Sequence, residues 1–200
     1  MGPLLYRLDP ERAHHLAILC LKLGIYPRRF KQPDPVLKST LWGLDFPLPI
    51  GVAAGFDKNA EVFKELLNLG FGFVETGTVT PMAQPGNEKP RMYRLSEDKA
   101  IINKLGFNNL GLDKYRQHIR KWSDQQGHGI VGVNVGKNKN TAEPLSDFMT
   151  SISMLSEYAS YITINISSPN TIGLRDLQSR HNLKALIEMA KATRNKCKKK

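Results

Sequence analysis

The sequence has few of the features that mark secreted, membrane-spanning or zinc-binding proteins. Its 200 residues include two cysteines, Cys20 and Cys197, too few for a disulfide framework or a cysteine-based zinc site. Its most apolar uncharged stretch, residues 46–56, is 11 residues long and contains two prolines, whereas a membrane-spanning helix needs about 20 apolar residues. The N-terminal residues also lack the pattern of a secretory signal. We therefore expect an intracellular chain with reduced thiols and no spanning segment.

Signals of several enzyme classes are missing as well. The sequence contains neither G-x-G-x-x-G nor G-x-x-x-x-G-K-[ST], so it gives no Rossmann or P-loop signal. Carboxylates are scarce after the predicted strands, where Asp57 stands nearly alone, which argues against metal-assisted hydrolysis and a two-carboxylate glycosidase. No metal site is expected. None of the five histidines has ligand spacing, and we interpret them as structural or surface residues: His14, His15, His118, His128 and His181.

The positive charge is concentrated at one end of the chain. The formal net charge is +11 at pH 7, and residues 191–200 contain six of the 29 Lys and Arg residues and no acid. A basic end can contact RNA or anionic lipid, but it is more often simply solvated. The charge therefore predicts no specific nucleic-acid partner.

Near its start the chain predicts an unusually apolar helix. Asp9 can cap this helix, Pro10 suits its first position, and residues 16–21 are six apolar residues in a row. Gly24 and Pro27 end it, and basic residues follow directly: Arg28, Arg29 and Lys31. From the pattern alone, packing against the sheet is favoured over an interfacial helix whose basic residues meet lipid phosphates.

Strand and helix signals then alternate. Short apolar runs predict buried strands at residues 49–54, 71–78, 130–135 and 161–166. Helices are predicted at residues 59–69, 146–158 and 182–194, and the long interval after the second strand holds a predicted strand at 91–95 and a helix at 113–122. This order indicates a parallel sheet with right-handed crossovers.

Polar side chains lie at or just past the carboxyl end of each predicted strand, where parallel α/β enzymes keep their active sites. These four strand ends contain, in order, Lys58, then Thr78, then Asn134, then Asn165 with Ser168 and Asn170. Amides both donate and accept hydrogen bonds, which suits a flat ring that carries carbonyl and N–H groups. A lysine supplies a compact cation for a carboxylate or for the negative charge of a reduced ring.

Seven segments carry a family resemblance. In this sequence they are residues 8–14 (LDPERAH), 53–58 (AAGFDK), 77–81 (GTVTP), 84–91 (QPGNEKPR), 103–111 (NKLGFNNLG), 134–139 (NVGKNK) and 165–171 (NISSPNT). In the order and spacing of these segments, the chain resembles the N-terminal half of a class 2 (quinone-linked, FMN-dependent) dihydroorotate dehydrogenase. Neither cysteine lies near these loops, whereas the similar class 1 enzymes use a cysteine as the base, so class 2 is favoured.

The resemblance implies a fold and a domain organisation. The fold is α/β, of the (β/α)8 TIM barrel family, with about the first four βα units and the N-terminal helices present. Residues 1–35 would form a helical membrane and quinone-tunnel segment, residues 36–195 the first half of an FMN-binding barrel, and residues 196–200 a basic tail.

The resemblance also implies an activity: oxidation of dihydroorotate to orotate in de novo pyrimidine (UMP) biosynthesis, with FMN as hydride acceptor and a quinone as final electron acceptor. Ser168 would be the base that removes the C5 proton while a hydride leaves C6 for the flavin N5. Thr171 and Phe107 lie in the segments that help the serine to lose its own proton. The implied FMN-binding residues are Ala54, Gly55, Lys58, Thr78, Asn134 and Asn165. The implied substrate-binding residues are Lys58, Asn103, Gly106, Phe107, Asn108, Asn165 and Asn170.

A location follows from the same resemblance. The quinone would reach the flavin through a tunnel beneath the N-terminal helices, which moves the interpretation of the apolar helix towards membrane contact. We expect a peripheral membrane protein on the cytoplasmic face of the bacterial inner membrane, without a specific nucleic-acid partner.

The C-terminal end of the sequence supports an alternative to an active enzyme. A barrel needs eight strands and four are predicted, and the lysine-rich ending departs from the family pattern. We hypothesise out-of-frame translation through an adenine-rich run. The chain would then be a truncated, non-catalytic remnant with only non-specific affinity for membrane or RNA, and the isolated chain is expected to be colourless and inactive.

Overall fold

The computed structural model describes residues 6–27, 33–124 and 129–197. Its helices are α1 (Pro10–Lys22), α2 (Phe63–Asn68), α3 (Leu112–Asp124), α4 (Pro144–Leu155) and α5 (Arg180–Cys197). Its strands are β1 (Ser39–Leu41), β2 (Leu44–Phe46), β3 (Gly51–Val52), β4 (Phe73–Val79), β5 (Met92–Leu95), β6 (Ala100–Asn103), β7 (Ile130–Val135) and β8 (Tyr161–Ile164). Short 3-10 turns occupy Pro35–Leu37 and Arg175–Gln178. The predicted features at Arg28, Arg29, Lys31, His128 and residues 198–200 lie outside the described residues.

The N-terminal helix is confirmed as α1. The Asp9 side chain caps it by accepting a hydrogen bond of 3.1 Å from the Arg12 backbone N–H. On one side of the helix Ile18 and Leu21 are buried in the main core. Apolar side chains in and just after the helix remain exposed, at Leu16, Leu19, Leu23 and Ile25. Within the described ranges, no helix combines the length and apolar character needed to cross a bilayer.

Four parallel strands form the central sheet, in the order β3-β4-β7-β8. This confirms the predicted parallel sheet and a partial (β/α)8 barrel, with β3 and β8 as the edge strands of the described sheet. The strand predicted at residues 130–135 is β7, with the same bounds. All six of its residues are buried, which is why a continuous apolar run predicted it correctly.

Three predicted elements are shorter than the sequence suggested. The strand predicted at residues 49–54 is reduced to β3, whose regular pairing with β4 ends at Val52, although the Gly55 N–H still bonds to the Gly77 carbonyl of β4 at 2.8 Å. The helix predicted from residue 59 begins at Phe63, since turns held by Asp57 occupy the preceding residues. The strand predicted to residue 166 ends at Ile164.

Side chains alternate between the inside of the partial barrel and its helical cover. Glu75 is paired in register with Gly132, and Gly132 with Tyr161, so these three residues share one interior level. Below that level, Phe46 of β2 packs edge-on against Phe73 with ring centroids 5.4 Å apart. The opposite faces of β4 and β7 are buried in the core formed with the helices, through Val74, Val131, Val133, Val135, Phe63, Leu66, Tyr115, Ile119, Phe148 and Leu155.

Two antiparallel hairpins were not fully predicted. One joins β1 to β2, and the other joins β5 to β6. All three residues of β1 and all four of β6 are exposed, although Ala100, Ile101 and Ile102 of β6 form a short apolar run. The second hairpin matters for the site because it leads into the loop after Asn103.

Candidate active site

The loop after β3 is held against the end of β4 by its backbone. The Gly55 N–H donates to the Gly77 carbonyl at 2.8 Å, and the Gly77 N–H donates to the Asp57 carbonyl at 2.9 Å. Two of the predicted cofactor-binding positions, Ala54 and Gly55, are thereby placed beside Thr78. A Cβ atom built on Gly55 would meet nothing within 4 Å, so the backbone borders open space at this point.

The carboxylate of Asp57, which we placed among the polar residues of the rim, has a structural role instead. It accepts hydrogen bonds from the backbone N–H groups of Glu61 at 2.7 Å and Val62 at 2.8 Å. Only 1% of Asp57 is exposed, and this burial raises the pKa of its carboxyl group against the opposing effect of the N–H donors. Its side chain therefore fixes the turn that precedes α2.

Lys58 is a partly buried cation. Burial lowers the pKa of its ammonium group below the usual lysine range. Among the described residues, no carboxylate forms an ion pair with it. The carboxylates of Glu11 and Asp57 act on it at longer range, and a partly desolvated ammonium group that lacks an ion pair suits an anionic ligand.

Three predicted site residues are joined directly by hydrogen bonds. The Thr78 hydroxyl donates to Asn134 Oδ1 at 2.6 Å, and the Asn165 amide donates from Nδ2 to the Thr78 oxygen at 3.1 Å. Thr78 lies on β4, Asn134 on β7, and Asn165 follows β8, so the cluster spans the carboxyl ends of three adjacent parallel strands. The predicted convergence of these strand ends is confirmed for these residues.

The loop predicted to bind substrate is anchored by two residues to which we had assigned no role. Gln84 Nε2 donates to the carbonyls of Gly106 at 3.1 Å and Phe107 at 3.2 Å. Asn138 Nδ2 in turn donates to Gln84 Oε1 at 2.9 Å. These bonds hold Phe107 in a left-handed backbone conformation, with φ of 53°. The segments 84–91 and 134–139 thus support the loop.

Other predicted substrate residues are only partly assembled. Asn103 is exposed on β6 and takes part in hairpin pairing with Met92. The Asn108 Oδ1 atom is buried and has no hydrogen-bond partner in the described part of the chain.

Ser168 lies in the loop after β8. Its Oγ atom accepts a hydrogen bond of 3.2 Å from the Asn170 backbone N–H. Arg175 Nε anchors this loop by donating to the Ser167 carbonyl at 3.0 Å. Across the described ranges, no hydrogen bond links Ser168 to Thr171, to Phe107 or to the Thr78 cluster. Ser168 therefore shares the rim with that cluster but does not contact it through hydrogen bonds.

Glu75 is the charged residue that sequence reasoning missed. It lies inside the barrel one level below Asn134, and its carboxylate accepts a hydrogen bond from the Asn134 amide. The available signal was the two-residue alternation of β4, which places Glu75 on the same face as Gly77.

We interpreted the histidines as structural or surface residues. The rings of two of them, His14 and His118, form hydrogen bonds with backbone carbonyl groups. His14 Nε2 lies 2.7 Å from the Phe56 carbonyl, and His118 Nδ1 lies 2.8 Å from the Asn59 carbonyl. In the residues that were searched, which are those described above, no group of three His, Cys, Asp or Glu side chains could hold a metal ion.

Comparisons with known proteins agree with this arrangement. A family model for dihydroorotate dehydrogenase matches residues 36–198. A protein from Azorhizobium caulinodans named dihydroorotate dehydrogenase (quinone) is 50% identical over 193 residues, which are 96% of this chain and 54% of that protein. One of the same name from Agrobacterium fabrum is 51% identical over 183 residues, 92% of this chain and 50% of its own length.

Solved structures show the same relationship. A crystal structure of DHODH from Eimeria tenella in complex with ferulenol superposes with a TM-score of 0.88 at 44% identity, covering 92% of this chain and 51% of that one. The chain spans about half the length of the curated relatives it matches. The resemblance found in the sequence is therefore confirmed, and the chain belongs to the dihydroorotate dehydrogenase family.

Proposed function

We propose that this chain supplies half of an active site that oxidises dihydroorotate to orotate in pyrimidine biosynthesis, with FMN as hydride acceptor and a quinone as final electron acceptor. The observation that carries the proposal is the hydrogen-bonded cluster of Thr78, Asn134 and Asn165 at three adjacent strand ends. Lys58 and Ser168 lie on loops of the same rim. The relatives, which this chain matches over about half of their length, carry names that support the same reaction.

The donor set fits the flat ring of FMN. Beyond its bonds within the protein, Asn134 keeps a second N–H and a second oxygen lone pair, and Asn165 keeps a second N–H, for the carbonyl and N–H groups of such a ring. The open space beside Gly55 leaves the backbone accessible to a ligand. In our proposal FMN is held by Ala54, Gly55, Lys58, Thr78, Asn134 and Asn165, and when bound it supplies the acceptor for a hydride.

We assign substrate binding chiefly to the Lys58 ammonium group and to the loop after Asn103. In our proposal Lys58, which forms no ion pair among the described residues, neutralises the carboxylate of dihydroorotate. The full proposed set is Lys58, Asn103, Gly106, Phe107, Asn108, Asn165 and Asn170.

Ser168 is proposed as the base that takes the proton from C5 of dihydroorotate. A serine hydroxyl is a weak base and must pass its own proton on as it accepts one. The Asn170 N–H donates to Ser168 Oγ, which stabilises negative charge as it develops on that oxygen. Because Ser168 has no direct hydrogen bond to another side-chain base in the described chain, we assign the onward transfer to water.

The same proposal includes a peripheral membrane location at the cytoplasmic face of the bacterial inner membrane. Leu19 and Leu23 of the N-terminal region are 51% and 65% exposed, and they lie beside the buried face that packs on the core. This arrangement allows α1 to pack on the barrel and contact a lipid surface at the same time.

A chimaeric enzyme tests the proposed reaction. We would join this chain in frame to the complementary C-terminal half of the Azorhizobium caulinodans relative and measure dihydroorotate-dependent reduction of a quinone analogue. The expected result is a yellow protein with flavin absorbance and turnover, and an Asn134→Ala version should lose flavin. The relative's own two halves, joined at the same point, control for the junction. A soluble chimaera without flavin or turnover, beside an active control, would refute the proposal.

A further inference from the structure

Glu75 places a carboxylate directly beneath the ring-binding residues. In register it lies beside Gly132, one interior level below Asn134. Its Oε1 atom accepts a hydrogen bond of 2.8 Å from Asn134 Nδ2, and its Oε2 atom accepts one of 3.0 Å from the Thr163 hydroxyl. Both carboxylate oxygens are therefore engaged.

A carboxylate dictates which way the Asn134 amide faces. An ionised carboxylate only accepts hydrogen bonds, so Asn134 must turn its NH2 group towards Glu75. The Asn134 carbonyl oxygen then points to Thr78, whose hydroxyl donates to it at 2.6 Å. With the amide reversed, an oxygen would face the carboxylate, and two acceptors would repel each other.

The hydrogen bonds continue from Thr78 to Asn165 with the same direction of donation. The Thr78 hydroxyl already donates its only hydrogen to Asn134. Its oxygen therefore accepts a hydrogen bond from Asn165 Nδ2 at 3.1 Å. The Asn165 Oδ1 atom is thereby left to accept from the Ser167 N–H at 3.1 Å and the Ser167 hydroxyl at 3.0 Å. Every donor in this series points towards Glu75.

We propose that Glu75 is a positioning residue: its carboxylate fixes the orientation of the Asn134 and Asn165 amides and so decides which donors and acceptors they present to a bound ring. The identity of that ring rests on the proposed function, whereas the orientation of the amides does not. Glu75 acts through Asn134, since every hydrogen bond of its carboxylate within the described residues is to another protein side chain.

Two substitutions of Glu75 distinguish the effect of its hydrogen-bond acceptor atoms from the effect of its size. Glu75→Gln keeps one acceptor oxygen and nearly the same shape, so Asn134 can retain its orientation. Glu75→Met keeps the length but removes every strong acceptor, so the Asn134 NH2 group loses its partner. Thr163→Val is the matched control: Thr163 lies beside Asn134 in register, but the substitution removes only the hydrogen bond to Glu75 Oε2 and leaves the one between Asn134 and Glu75 Oε1 in place.

The readout is hydrogen exchange of asparagine side-chain amides, followed by NMR in the full chain without FMN. For Glu75→Met we expect exchange at Asn134 to accelerate at least about tenfold, as loss of a charge-assisted hydrogen bond implies. Acceleration should also appear at Asn165, which does not hydrogen-bond to Glu75. Glu75→Gln should restore slow exchange to within about threefold of the original chain, and Thr163→Val should do the same. Backbone exchange at Val133 reports whether β7 stays folded.

Two results would overturn the proposal: exchange at Asn134 as fast as at the exposed Asn140 in the unsubstituted chain, or no change on Glu75→Met with β7 intact. If Glu75→Met does not fold, Thr78→Val provides the second test, since it breaks the series between the two asparagines. Asn134 should then stay protected while Asn165 loses protection, and loss at both would contradict the proposed direction. Failure to bind FMN, measured separately by flavin fluorescence, would contradict the proposed function and leave these exchange results standing.

Discussion

Arg91 and Glu11 form a buried ion pair between two segments that are distant in the sequence. Arg91 Nη2 lies 2.7 Å from Glu11 Oε1, and Arg91 Nε lies 3.1 Å from the same oxygen. Arg91 Nη1 also donates to the backbone carbonyls of Pro85 at 2.5 Å and Asn87 at 2.9 Å. The N-terminal helix α1 is thereby tied to the segment that supports the proposed substrate loop.

Replacing Arg91 should destabilise the chain strongly. Arg91→Met would leave the Glu11 carboxylate buried without its main partner, for which we expect a loss of about 3 kcal/mol in the free energy of unfolding. Lys89→Met is the control, since Lys89 is exposed and lies 3.6 Å from Glu11; its loss should cost under about 1 kcal/mol. Urea unfolding of the three chains gives both values, and equal effects would contradict the role assigned to Arg91.

The ion pair also predicts how stability depends on pH. The hydrogen bond from Arg91 holds the pKa of the Glu11 carboxyl below its usual range. A depressed pKa in the folded state stabilises the fold above the unfolded-state pKa of about 4.3, and this contribution disappears as the pH falls through the folded-state pKa. The difference in unfolding free energy between the unsubstituted chain and Glu11→Gln should therefore shrink below about pH 4. A difference that stays constant from neutral pH to about pH 3 would show that Glu11 does not titrate in this way.

Asn138 should control the order of the proposed substrate loop. Its side chain bonds to Thr80 Oγ1 at 3.0 Å, to the Met82 carbonyl at 2.8 Å and to Gln84 Oε1 at 2.9 Å. Asn138→Ala should cost about 2 kcal/mol of stability and accelerate backbone hydrogen exchange at Asn109, which pairs with Gln84. The exposed Asn140→Ala should do neither. Unchanged exchange at Asn109 would remove Asn138 from the support of the loop.

The exposed side of α1 should mediate lipid binding. Leu19 and Leu110 are both 51% exposed, but only Leu19 lies on α1. Burial of one leucine contributes about 1.5–3 kcal/mol, so Leu19→Glu should weaken partitioning onto phosphatidylglycerol vesicles more than about tenfold. Leu110→Glu should leave partitioning unchanged in a flotation assay. Equal binding by all three chains would refute the proposed lipid contact.

The sequence predicted the parts of the fold whose burial is continuous. β7 was placed correctly because its mainly apolar run is buried on both faces, while β6, a short exposed hairpin strand, was missed even though it contains Ala100, Ile101 and Ile102. β3 was predicted too long, since its pairing with β4 covers only Gly51 and Val52 and the apolar run that continues to Ala54 does not mark that end.

The site was predictable where a polar residue lies at the carboxyl end of a strand, as for Thr78 and Asn134. Glu75 was missed because it lies within β4, where a charged residue looks like an exposed strand position until the barrel interior is known. Asp57 was misjudged for the opposite reason: its position after a strand suggested the rim, but its carboxylate turns inward to cap backbone N–H groups.

The most direct test of the central claim uses Ser168→Ala in the chimaeric enzyme, with flavin reduction by dihydroorotate followed in a stopped-flow instrument. Proton removal at C5 is needed only in the transition state, so we predict that reduction slows by at least about a hundredfold while orotate affinity stays within about threefold. Reduction at an unchanged rate would show that Ser168 is not the base and would contradict the account.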